Sequence, residues 1–206
     1  MWEVFLSSLS FKNLPKKRYK TICLDYPWPM EKMALYKFKL SDTNLDYPTV
    51  PVEEAYRIPM QELLEPDAHV YFWTTHRFLP VSFDILKSWG LKYNCCLTWV
   101  KQSGMCPFGF QFNSEFVLFA KNGSLPHQNM GERVVFYENS RQHSRKPECF
   151  YELVKRCSPG PRLEMFARAP REGFEAYGND VSHFSTDGIF SYSNLIQEAQ
   201  ATKKEG

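Results

Sequence analysis

An α/β domain, with a mostly parallel central sheet and helices on both of its faces, is the fold class this sequence predicts. Apolar runs of strand length alternate with segments whose apolar residues recur at helical spacing, the pattern of a layered α/β chain. Most of those strands, such as Val70 to Trp73, are apolar at consecutive positions, as strands covered on both faces must be. Size agrees: 206 residues, at roughly 150 per domain, make one domain with some decoration. A chain of that length buries roughly 70% of its unfolded surface.

The elements follow in order. Tyr19 to Leu24 is rich in β-formers, follows the basic turn Pro15 to Arg18, and reads as a strand ending at Asp25. Tyr26-Pro27-Trp28-Pro29 breaks it: two prolines within three residues forbid a helix start and favour a rigid, extended loop. Loops at carboxyl ends of strands host ligands in α/β sheets. Met30 to Pro51 has no sustained period and reads as a long loop and a lid candidate. Val52 to Leu64 predicts a helix, Pro66-Asp67 a turn, and Ala68 to Thr74 a buried strand. In Phe78 to Trp89, Phe83, Leu86 and Trp89 share one helical face, with Gly90 as the stop.

Tyr93 to Lys101 is the next strand, and Gln102 to Asn113 a second long loop before the strand Glu115 to Ala120. A short strand, Arg133 to Tyr137, precedes the polar loop Glu138 to Lys146. Pro147 then stands where a helix begins, and Phe150, Leu153, Val154 and Cys157 give its apolar face, ended by Ser158-Pro159-Gly160. Arg162 to Ala167 is the final central strand. A domain over 1–181, with the basic segment 1–18 included, and a polar tail over 182–206, with a short helix at Asn194 to Ala201, complete the reading.

Composition narrows the function classes. At 43% hydrophobic and 16% aromatic the chain is far from the signature of disorder. Lys and Arg number 25 against 23 Asp and Glu, so the net charge of +2 excludes a histone-like cation and an acidic solvating tail. No apolar run approaches the 18 or so residues of a spanning helix, so no membrane span is expected. Met1 to Leu9 contains Glu3, lacks a basic leader and precedes no cleavage pattern; the protein is expected inside the cell, in the cytoplasm or nucleus according to host. Six cysteines without a C-x-x-C pair read as reduced core thiols, and His76, His127 and His183 lack ligand-like spacing, so no metal is expected.

The sharpest feature is Asp25-Tyr26-Pro27-Trp28. A carboxylate at a strand end, a rigid turn and an aromatic ring can hold a planar amine. Asp25 and a main-chain carbonyl accept its N–H bonds while Trp28 lies against the ring. Such a grip suits the exocyclic amino group of a nucleobase taken out of its stack. Taken alone, the four residues equally describe a loop that only turns the chain.

The rest of the chain decides for chemistry. Tyr19 to Trp28, Leu45-Asp46-Tyr47-Pro48-Thr49, Pro66 to Thr75, Trp89-Gly90, Leu97 to Lys101, His143-Ser144-Arg145-Lys146-Pro147, Pro159 to Arg168 and Gly178-Asn179 closely resemble, in order, the MT-A family of N6-adenine methyltransferases. This is the family of the seventy-kilodalton adenosine-methyltransferase subunit. The resemblance runs over about residues 19 to 181. It implies a Rossmann-like methyltransferase domain. Asp25 to Trp28 align with the family's Asp-Pro-Pro-Trp motif, with Tyr26 in place of a proline. The family uses the backbone carbonyl at that position for the target amine, and a carbonyl survives the change while some stiffness is lost.

The resemblance further implies S-adenosyl-L-methionine as cofactor. Lys146, Glu164, Phe166, Arg168, Asn179 and Asp180 would meet it, together with Asp25. Vicinal hydroxyls suit a carboxylate, an amino-acid carboxylate suits Lys or Asn, and its ammonium suits Asp25. By residue type alone, Lys146 is a helix-start lysine and Glu164 with Arg168 a solvated pair. The substrate is expected to be nucleic acid, DNA first and RNA second, held by Trp28, the lid residue Tyr47, and two basic clusters. Lys16, Lys17 and Arg18, with Lys12 and Lys20, form the first, and Arg141, Arg145 and Lys146 the second. A different class is kept open by Tyr26: a catalytically weak homologue that binds nucleic acid, forms a homodimer, or supports a partner subunit.

Overall fold

The computed structural model describes residues 14–29, 49–105, 109–138 and 146–178. Lys12, Tyr47, Arg141, Arg145, Asn179, Asp180 and the tail lie outside the described residues. In chain order the elements are β1 (Tyr19–Asp25), α1 (Val52–Tyr56), α2 (Met60–Leu63), β2 (Leu64–Thr74), α3 (Leu79–Ser88) and β3 (Lys92–Met105). They continue with β4 (Phe112–Asn122), β5 (Val135–Tyr137), α4 (Glu148–Cys157), β6 (Arg162–Met165) and β7 (Glu175–Tyr177).

The strands form one sheet in the order β5-β3-β4-β2-β1-β6-β7. β4 runs antiparallel to both of its neighbours, β2 and β3, and the other pairings are parallel. The chain therefore has a mixed, mostly parallel seven-stranded sheet, the architecture expected of a Rossmann-like domain. Alternation along each strand sorts the core into two layers. Ile22, Leu24, Val70, Phe72, Leu118 and Ala120 pack with Ala55, Met60, Ile85 and Leu86 of α1 to α3. Cys23, Tyr71, Trp73, Trp99, Val117 and Phe119 pack with Phe150, Leu153, Val154 and Cys157 of α4. Each of the Ile, Leu, Val, Met and Phe side chains among them, fully buried, is worth on the order of 2 kcal/mol.

Connections from β1 lead to β2 on one side, whereas β6 leads to β7 on the other. The chain changes direction between β1 and β6. Their carboxyl ends, Asp25 and Met165, thus border the crevice where open α/β sheets bind ligands.

Several boundaries differ from the sequence reading. The helix expected over Val52 to Leu64 is two short helices, because Pro59 lacks the N–H that a continuous helix would need. β2 starts at Leu64, through the expected turn at Pro66-Asp67. Gly123, at φ +65°, brings β4 so close there that a Cβ would meet the Pro66 carbonyl at 2.4 Å. Of the expected loop Gln102 to Asn113, residues 102–105 and 112–113 belong to longer strands, with Met105 opposite Phe112. Gly104 makes that approach possible, since a Cβ would stand 2.1 Å from the Phe112 carbonyl oxygen. Phe83, expected on the buried face of α3, is 40% exposed and meets Tyr93 edge-on.

Candidate active site

Asp25 closes β1, two residues beyond the buried Cys23 and therefore on the α4 side of the sheet. Lys146, just ahead of Pro147 and α4, reaches it with Nζ 3.0 Å from Oδ1. The same ammonium lies 3.0 Å from Oε2 of Glu115, near the start of β4, and 4.9 Å from the centre of the Trp73 ring. Lys101 of β3 pairs with the other oxygen of Glu115 and stands over Trp99. Two carboxylates and two ammonium groups thus alternate across the mouths of four neighbouring segments. Beside them the Trp73 indole N–H has no partner among the described residues.

Electrostatics hold this array charged. Burial disfavours the Lys146 ammonium, but Asp25 and Glu115 outweigh it and keep the group above its ordinary value. Burial likewise opposes ionisation of Glu115, and Lys146 with Lys101 bring its carboxyl down to about 2. Glu115 was not singled out from the sequence. Its signal is a carboxylate two residues before Val117, on the face that Val117 and Phe119 bury.

The loop after Asp25 is built around its aromatic residues. The Tyr26 ring is buried, its hydroxyl donates to the Pro51 carbonyl at 2.5 Å, and Val50 N–H donates to the Pro27 carbonyl. These bonds tie residues 26–27 to the far end of the long connection. The Tyr26 carbonyl accepts the Trp28 N–H at 2.9 Å. Trp28 is placed differently from the expectation of a base-stacking surface. It is 5% exposed, stacks on Phe78 at 4.7 Å and 9°, and donates its indole N–H to the Trp73 carbonyl. A large aromatic gains more from that core than from the crevice mouth.

On β6, Glu164 is buried rather than solvated. It accepts the Tyr151 hydroxyl at 2.5 Å and faces Arg171 Nε at 3.2 Å, while Arg171 lies 3.7 Å above the Tyr151 ring. Burial raises its carboxyl to about 7 in spite of Arg171. Phe166 follows with φ 61°, a left-handed conformation that is costly for a bulky residue, and its ring meets Tyr26 edge-on. Arg168 is half-buried beyond it. The structure thus brings together Asp25, Tyr26, Lys146, Glu164 and Phe166. Lys16, Lys17 and Arg18 are not brought to them. They precede the amino end of β1, some 20 Å along the strand from Asp25. There Lys17 pairs with Glu175 and Arg18 donates to the Leu64 carbonyl.

Comparison with known proteins points the same way. The family model described as MT-A70 matches residues 19–180. The chain is 25% identical over 189 residues to the type II methyltransferase M.MunI of a Mycoplasma species, covering 83% of this chain and 81% of that protein. It is 29% identical to the N6-methyladenosine RNA methyltransferase MTA1 of Pyricularia oryzae, over 81% of this chain and 48% of that one. Against the human N(6)-adenosine-methyltransferase catalytic subunit METTL3 it is 25% identical over 73% of this chain, but spans only 26% of that protein. A match that runs from the first residue of β1 to just past β7, over a sheet whose switch point carries Asp25 and Lys146, makes this chain a member of the MT-A70 family of N6-adenine methyltransferases.

Proposed function

We propose that this chain methylates the N6 amino group of adenine in nucleic acid, with S-adenosylmethionine as methyl donor and DNA as the first substrate. The observation that carries the proposal is the Asp25 carboxylate at the switch crevice, held in place by Lys146. Asp25 accepts one N–H of the target amine through the oxygen that Lys146 leaves open, and the Tyr26 carbonyl accepts the other. The lone pair on N6 is thereby aimed away from both acceptors and into the crevice. Positioning of this kind is the main source of rate for a transfer that needs no covalent enzyme intermediate. Asp25 also stabilises the positive charge that grows on the amine.

MT-A70 methyltransferases use S-adenosylmethionine, whose sulfonium makes the methyl carbon electrophilic. The residues present fit it: Lys146 suits its carboxylate and Asp25 its ammonium. The Trp73 indole N–H, buried without a partner among the described residues, is a further donor beside them. Asn179 and Asp180, beyond Gly178, complete the set in the family's pattern. DNA is placed first because the similarity to a type II methyltransferase runs through four-fifths of both chains. The similarity to enzymes named for RNA or adenosine covers about a quarter to a half of them.

Transfer of labelled methyl to single-stranded DNA, duplex DNA and RNA, run in parallel, tests the proposal. DNA is expected to be labelled and Asp25→Ala to lose at least about 100-fold of the rate. Labelling of RNA alone would reassign the substrate. No labelling of any adenine polymer by protein that binds the cofactor would overturn the enzymatic reading.

A further inference from the structure

Helix α4 begins on a residue that cannot cap it. Pro147 occupies the N-cap position and has no side-chain acceptor to offer the first N–H groups of the helix. Glu138, ten residues upstream, takes two of them: its Oε1 accepts from Glu148 N–H at 3.3 Å and its Oε2 from Cys149 N–H at 2.9 Å. Burial alone would raise the Glu138 carboxyl, and the Cys149 and Glu148 N–H bonds outweigh it and lower it. Glu138 is itself anchored to the sheet. It follows Tyr137 of β5, which pairs with Val100, and its carbonyl accepts the Trp99 indole N–H at 2.9 Å.

Lys146 stands one residue before that N-cap, and it must satisfy Asp25 and Glu115 together at 3.0 Å each. A misplacement of about 1 Å at such a point can cost on the order of 100-fold in rate. We propose that Glu138 is a positioning residue for the active site: by capping α4 from β5, it fixes where Lys146 meets Asp25. The proposal rests on the reading of Asp25 and Lys146 given above. It assigns Glu138 no contact with substrate or cofactor. Its carboxylate carries the frame of the sheet edge to the start of α4, two residues beyond Lys146.

The test is a double-mutant cycle with a destabilised control. Glu138→Ala is expected to lower kcat/KM and cofactor affinity about tenfold or more, and Glu138→Gln, which retains one acceptor, to recover most of the loss. In the Lys146→Ala background Glu138→Ala should cost less than about twofold. Val154→Ala, which thins the buried face of the same helix, should remain additive with Lys146→Ala. Without cofactor, reductive methylation of Lys146, read by mass spectrometry, should speed up in Glu138→Ala and stay slow in Val154→Ala. Additive losses in the cycle, or unchanged protection of Lys146, would overturn the proposal. If wild-type protein labels no nucleic acid while Glu138→Ala exposes Lys146, the positioning role stands and the enzymatic reading falls.

Discussion

Tyr26 stands where the family has a proline, and its side chain replaces part of the lost stiffness with a hydrogen bond. The hydroxyl donates to Pro51, and the ring packs edge-on against Trp28 and Phe166. Tyr26→Phe is therefore expected to lower stability by about 1 kcal/mol, measured by denaturant unfolding, and to leave methyl transfer within a few-fold, because the carbonyl is retained. Trp28 separates core from crevice in the same way. Trp28→Ala should lose about 3–5 kcal/mol, as truncation of a buried aromatic does, whereas Trp28→Phe should keep substrate affinity. A selective loss of substrate affinity in the folded Trp28→Phe variant would return this ring to the base-binding surface. Glu115 acts through Lys146, so Glu115→Gln should weaken cofactor binding, by calorimetry, about tenfold.

Among the elements, the close approach of β6 and β7 sets the tightest limit on sequence. Ala167 N–H donates to the Tyr177 carbonyl, and a Cβ on Gly178 would fall 1.9 Å from the Ala167 carbonyl oxygen. Gly178→Ala must therefore push the strand ends apart, and a loss of more than about 2 kcal/mol is expected by thermal unfolding. β1, α3 and α4 were legible in the sequence because each is a periodic or continuous apolar run with a physical stop. The helix pair α1 and α2 was not, since apolar spacing continues through Pro59 while the backbone cannot. Nor was β7, whose three residues gain their strand conformation from pairing with β6. At the site, Asp25 was legible from its own loop, and Lys146 through the family pattern. Glu115 and Glu138 were not, because a carboxylate's role depends on partners that only the sheet register and the start of α4 supply.

For the whole molecule, pH reports on both ends of the sheet. In the middle of β2, opposite Thr21 near the start of β1, His69 is fully buried between the Ser158 hydroxyl at 2.8 Å and the Leu125 carbonyl at 2.9 Å. Burial pushes its imidazole down to about 4, against the pull of the Leu125 carbonyl. The folded pKa lies below the unfolded one, so above about 6.5 the group costs nothing. As the pH falls from 6.5 to 4 the unfolded chain gains the proton first, and stability drops by an amount approaching 3 kcal/mol. Glu115 adds a second loss: stability it contributes above about 4.5 disappears as the pH falls toward 2. Glu164 acts in the opposite sense, favouring the folded state as the pH falls from about 7 to 4.5. The His69 contribution is therefore read as a difference. Between pH 7 and 4.5 the unfolding midpoint of wild type should fall further than that of His69→Gln, and parallel curves would refute the assignment.

The adjacency of β1 and β6 also has a meaning in time. Leu24 pairs with Met165, so a ribosome that has finished Asp25 must add roughly 140 more residues before the other wall of the crevice exists, about 7–28 s at ordinary elongation rates. Throughout that interval one edge of β1 is unpaired and its apolar residues await their neighbour. The nascent chain thus has the Asp25 carboxylate early and the second wall of the crevice last, and until then it carries an open strand edge of the kind that invites pairing with another chain.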